Sequence, residues 1–79
     1  MMNTALKPVD PMYLSPQCRQ ILNDLYRGTV TQRSALMDHG IMALPRRIAD
    51  LKEAGYPIEK VMKRNPHTGQ RYASYYLAS

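Results

Sequence analysis

The hydrophobic period of this chain changes at Gly55. Before it, apolar residues recur at helical spacing; after it, they alternate as in strands. A chain of 79 residues must satisfy both patterns within one domain. At that length only about 60% of the unfolded surface becomes buried, so every element has to share one small core.

The helical part is punctuated by its caps. Residues 1–14 carry two prolines and no sustained period, and are expected to form a flexible arm, with Tyr13 and Leu14 folding back onto the core. Ser15-Pro16 then offers an N-cap serine with proline at the first helical position. Cys18, Ile21, Leu22, Leu25 and Tyr26 follow at the spacing of one helical face, and Arg27-Gly28 closes the helix. Thr29-Val30-Thr31 is β-branched and suits a single short strand, and Thr31 can cap a two-turn helix, "QRSALMDH", stopped by Gly40. Val30 stands where a hydrophobic staple to Ala35 would form.

A third helix is expected over about residues 43–54. At 100° per residue Leu44, Ile48 and Leu51 share one face, with Met42, Arg46, Ala49, Asp50 and Glu53 roughly opposite. Pro45 is tolerated only in the first turn, which fixes where that helix begins. Beyond Gly55, "YPIEKVMKR" and "RYASYYLA" flank the turn "NPHTGQ" and predict a hairpin over about 58–77. Alternation puts Ala73, Tyr75 and Leu77 on one strand face and Tyr72, Ser74 and Tyr76 on the other. The expected fold is mainly α with a C-terminal β-hairpin. Residues 15–79 form a winged helix-turn-helix of three helices plus a wing, preceded by the arm.

Charge narrows the class of partner. Of a net +5, residues 56–79 hold +3, and a basic domain of this size favours an anionic partner. In a winged helix-turn-helix the third helix enters the DNA major groove and the hairpin lies on the backbone or in the minor groove. On the third helix Met42 and Arg46 face outward, and Arg46 can bond a guanine edge in a bidentate manner. Arg47 lies at the margin of the buried face, suited to a phosphate or to a salt bridge with Asp50 or Asp24. Lys60, Lys63, Arg64, His67, Gln70 and Arg71 cluster on the hairpin, where they fit phosphates or simply protect exposed strands. The main-chain N–H groups of Gln32 and Arg33 open the second helix and can hold a further phosphate, assisted by their side chains. Asp50 and Glu53 share the outward face and oppose deep insertion into DNA.

Other classes find less support. His39 and His67 are far apart, there is no Cys/His metal spacing, and no glycine loop of the phosphate-binding kind, so neither an enzyme nor a cofactor or metal site is expected. Cys18, the single cysteine, falls on an apolar face and reads as an inert core thiol in a reducing, cytoplasmic compartment. No apolar stretch approaches the roughly 20 residues of a membrane span, and the N-terminus lacks an apolar signal core.

The run Gly40, Ile41, Leu44, Arg47, Ile48, Leu51, Gly55, Tyr56 and Ile58, with Thr31-Gln32 ahead and Tyr75 and Leu77 at the end, resembles a family of small helix-turn-helix domains frequent in bacteriophage and prophage proteins. The resemblance runs from the first helix to the end of the chain and implies a winged helix that binds DNA. It matches Arg47 and not Arg46, which leaves open which arginine meets the bases. The expected partner is double-stranded DNA, with a homodimer or side-by-side copies to lengthen the site. The expected role is transcriptional regulation. The alternatives are an excision-type recombination accessory factor, or an interaction module that inhibits a host or phage protein.

Overall fold

Ser15 starts the first helix as its position suggests: its Oγ accepts the Cys18 N–H at 3.2 Å, and Pro16 occupies the first turn. The computed structural model describes residues 8–78. A 3-10 turn, Pro11–Tyr13, precedes α1 (Pro16–Arg27), β1 (Val30–Thr31), α2 (Gln32–His39), α3 (Leu44–Glu53), β2 (Ile58–Arg64) and β3 (Arg71–Leu77). Cys18, Ile21, Leu22 and Leu25 form the buried stripe of α1. Tyr26, expected on the same face, is 64% exposed. It sits about 80° around the helix from Cys18, at the edge of the stripe, where a large ring reaches solvent.

The three helices cover one face of a sheet ordered β1-β3-β2, all antiparallel. The expected lone strand and the expected hairpin therefore join, through Val30↔Tyr75 and Thr31↔Ser74. Residues paired across an antiparallel ladder share a face. Val30, Tyr75 and Ile58 are accordingly buried on the helix side, with Ala73 and Leu77 packed against them. Val30 and Ala35, the predicted staple pair, are both fully buried in that cluster. Ser74 alternates outward with Tyr72 and Tyr76, yet it is only 1% exposed. It is small and lies on the central strand between Thr31 and Val61, so its neighbours cover it. In β2 only Ile58 is buried and in β3 burial stops at Ser74 on the side of the turn, so the tip of the hairpin projects from the body.

Leu44, Ile48 and Leu51 seat α3 in the same cluster. The chain then turns at Gly55, whose φ of +101° favours glycine and whose missing Cβ would stand 3.0 Å from the Pro8 Cα. That close approach admits the segment before α1. The Val9 N–H donates to the Ala54 carbonyl at 2.8 Å, and the Tyr56 hydroxyl donates to the Val9 carbonyl at 2.6 Å. Leu14 packs against the core while Tyr13 stays exposed. Residues 1–7 of the expected arm lie outside the described residues. No helix among the described residues is long and apolar enough to cross a membrane.

Burial, with Tyr26 and Asp10 nearby, raises the Tyr56 phenol above the ordinary tyrosine range. The folded state therefore holds this proton more tightly than the unfolded chain. Its contribution is complete below about pH 10 and is lost as pH rises through the folded value. Tyr56→Phe is expected to cost about 1 kcal/mol, lowering the melting temperature by roughly 4–8 °C, and to remove this part of the alkaline fall. Thermal melts at neutral and alkaline pH measure both.

Candidate nucleic-acid interface

α2, which leads into the turn before α3, is held at each end. At its start Thr31 and Ser34 form a capping box: the Ser34 N–H donates to Thr31 Oγ1 at 3.1 Å, and the Thr31 N–H donates to Ser34 Oγ at 3.0 Å. At the far end of α2, Gly40 takes the left-handed conformation, φ 69°, and the N–H groups of Gly40 and Ile41 close on the Leu36 and Ala35 carbonyls. His39 Nε2 meets Asp24 Oδ2 at 2.7 Å and ties the end of α2 to α1. The Gln32 carboxamide crosses the turn itself. Its Nε2 donates to the Ile41 carbonyl at 2.8 Å and its Oε1 accepts the Leu44 N–H at 2.9 Å.

α3 exposes Met42 just before its first turn, 81% accessible, and then Arg46. Arg47 turns along the helix, with Nη2 lying 3.2 Å from Asp50 Oδ2. Its Nε is buried without a partner. One carboxylate of the outward face is thus engaged within the helix, and Glu53 is left at its last turn.

The hairpin turn is set by Asn65. Its Oδ1 accepts N–H bonds from His67 at 2.8 Å and Thr68 at 3.3 Å, while Gly69, φ 75°, donates back to the Asn65 carbonyl at 2.8 Å. Below it the strand pleat divides the basic residues. Lys60 pairs with Tyr75 and Arg64 with Arg71, both on the helix side, whereas Lys63 pairs with Tyr72 on the outer side. Arg64 directly opposite Arg71 is a like-charge pair, an arrangement that destabilises a hairpin unless an anion joins it.

Between α2, the first turn of α3 and the hairpin lies a groove of about 760 Å³. Thr31, Gln32, Arg33, Leu36 and Pro45 form one wall; Asn65, Pro66, His67, Gln70, Arg71, Tyr72, Ala73 and Tyr75 form the other. It carries two arginines and a histidine and no carboxylate. Among the described residues the ion pairs are Arg47–Asp50 and, when its ring is protonated, His39–Asp24. Arg33, Arg46, Lys60, Lys63, Arg64 and Arg71 therefore have no carboxylate of the described residues within 4.0 Å.

Of the side chains singled out by sequence, the groove gathers Gln32, Arg33, His67, Gln70 and Arg71. Met42, Arg46, Arg47, Lys60, Lys63 and Arg64 lie outside its lining. Leu36, Pro45 and Asn65 also line it without having been singled out. Asn65 carried a readable signal in its Asn-Pro-x-x-Gly turn; Leu36 and Pro45 join only when α2 and α3 are placed in space. Among the described residues no group of His, Cys, Asp or Glu side chains could hold a metal ion.

Residues 16–79 match the family model described as a winged helix-turn-helix domain. No curated protein and no solved structure matches the chain.

Proposed function

We propose that this chain, which belongs to the winged helix-turn-helix domain family, binds double-stranded DNA as a regulator of transcription. The observation that carries the reading is the groove between α2, α3 and the hairpin, whose lining holds Arg33, Arg71 and His67 and no carboxylate. A phosphodiester strand supplies the missing anions, and releasing its counterions drives association. In this reading Arg33 and Arg71 take phosphates in the groove, with His67 and Gln70 beside them. Lys60, Lys63 and Arg64 lie along the backbone or in the minor groove next to it.

The first turn of α3 then meets the major groove through Met42 and Arg46. Arg46 is the better base reader of the two arginines, since Arg47 is spent on Asp50. That same ion pair weakens the case for a protein-interaction module, because it neutralises one of the two carboxylates that argued for one. One module reads few base pairs, so two copies side by side on one duplex fit the expected selectivity. The phage or prophage setting rests on the sequence resemblance, and the cytoplasmic location on the single cysteine, Cys18.

Gel-shift titration at low salt tests the reading. Retention of duplex DNA is expected, weakened about tenfold in the Lys63→Ala, Arg64→Ala double variant and progressively lost as salt rises. Failure to retain any duplex at low salt sinks it.

A further inference from the structure

We infer that Gln32 is the N-cap of α3, supplied from α2, and that it serves DNA binding by positioning the recognition helix. α3 lacks a cap of its own: Ala43 occupies that place at φ −119° and ψ 64°, with no side-chain hydrogen bond. The amides of its first turn can be accounted for one by one. Pro45 has no N–H. Those of Arg46 and Arg47 donate to the Ala43 carbonyl at 3.2 and 3.4 Å. The Leu44 N–H remains, and Gln32 Oε1 takes it at 2.9 Å.

The orientation of the carboxamide is dictated by its partners. Leu44 presents a donor and Ile41 an acceptor, so oxygen must face the first and nitrogen the second, across nine and twelve residues of chain. Both polar atoms of the side chain are thereby committed inside the protein. Two consequences follow for binding. The oxygen and one of the two Nε2 hydrogens are spent inside the protein, so a single N–H of this groove-lining side chain is left for any other partner. The first turn of α3 also has no free main-chain N–H, so contacts to DNA there come from side chains such as Arg46.

The effect of Gln32 on affinity rests on the DNA-binding reading above; its place as a cap does not, and the two are separable. Gln32→Ala is expected to speed hydrogen exchange at the Leu44 amide of the free protein by about tenfold. It should lower duplex affinity by about fivefold, because the recognition helix is less well fixed. In an Arg46→Ala background, Gln32→Ala is expected to cost little further affinity, because Gln32 acts through the helix that carries Arg46. Should Gln32→Ala fail to fold, Gln32→Glu keeps the acceptor for Leu44 while losing the donor to Ile41, and Leu44 is then expected to stay protected.

Unchanged Leu44 exchange in Gln32→Ala, or loss of Leu44 protection in Gln32→Glu, overturns the assignment. So does an affinity loss from Gln32→Ala that is undiminished in the Arg46→Ala background, the signature of a direct contact with DNA. If the wild-type protein binds no duplex, the DNA-binding reading fails, and Leu44 exchange alone decides the cap.

Discussion

Replacing Arg33 and Arg71 together with alanine lowers affinity for duplex DNA by about a hundredfold at low salt, and reduces the salt slope by about two. The two side chains stand on opposite walls of the same groove, one on α2 and one on β3, and among the described residues neither has a carboxylate partner. A charge-assisted hydrogen bond contributes about 1.5 kcal/mol or more, close to tenfold in affinity, and the two sites are fixed by different elements. Their losses should therefore nearly add. Each lost phosphate contact also withdraws about one counterion from the salt dependence. Arg19, exposed on α1 and outside the groove, is the control, and Arg19→Ala is expected to leave both quantities unchanged. Equal losses in all three single variants, Arg33→Ala, Arg71→Ala and Arg19→Ala, would mean that general basicity attracts DNA and that the groove is not its seat. Relief of repulsion between Arg64 and Arg71 should at the same time leave the double variant slightly more stable to heat.

The helices were legible because their signals are local. Ser15-Pro16, Thr31 and the left-handed Gly40 each act within a turn of chain, and the observed boundaries fall at those residues. The stripe of Leu44, Ile48 and Leu51 was equally plain, since one short helix has only one face able to bury them. What stayed hidden depends on partners distant in sequence. Two residues, Val30 and Thr31, have no periodicity to read, and their pairing with Tyr75 and Ser74 exists only once the hairpin returns beside them. Gln32 looked like a helix-terminal phosphate ligand because its partners, Ile41 and Leu44, lie beyond the next turn. The hairpin charges seemed one cluster because Lys63 and Arg64 are neighbours in sequence. The pleat sends them to opposite faces, and the burial of Ile58 and Tyr75 decides which face looks toward the helices. The groove needs all of these at once, so sequence named several of its residues without revealing the groove.

Leu51→Ala is the substitution expected to cost most stability, about 2–5 kcal/mol. Leu51 is fully buried and shares its face of α3 with Leu44 and Ile48, through which α3 meets the rest of the core. A chain of this length has roughly 4–12 kcal/mol of stability in total, so one cavity removes a large share of it. At about 4–8 °C per kcal/mol, a loss of 3 kcal/mol lowers the melting temperature by roughly 12–24 °C. Leu36→Ala is the matched comparison: the same side chain and the same truncation, on α2, but 46% exposed at the groove. Its melting temperature is expected to fall by only a few degrees, since most of its surface already meets water. A Leu51→Ala melt as mild as that of Leu36→Ala would show that α3 is not anchored through this face. The coupling to function follows from the same cluster. Ile58 and Tyr75, at the root of the hairpin, are buried together with Leu51, so loosening α3 loosens both walls of the groove. Leu51→Ala should therefore lose duplex affinity on warming well before Leu36→Ala does, with no change in salt slope while it remains folded.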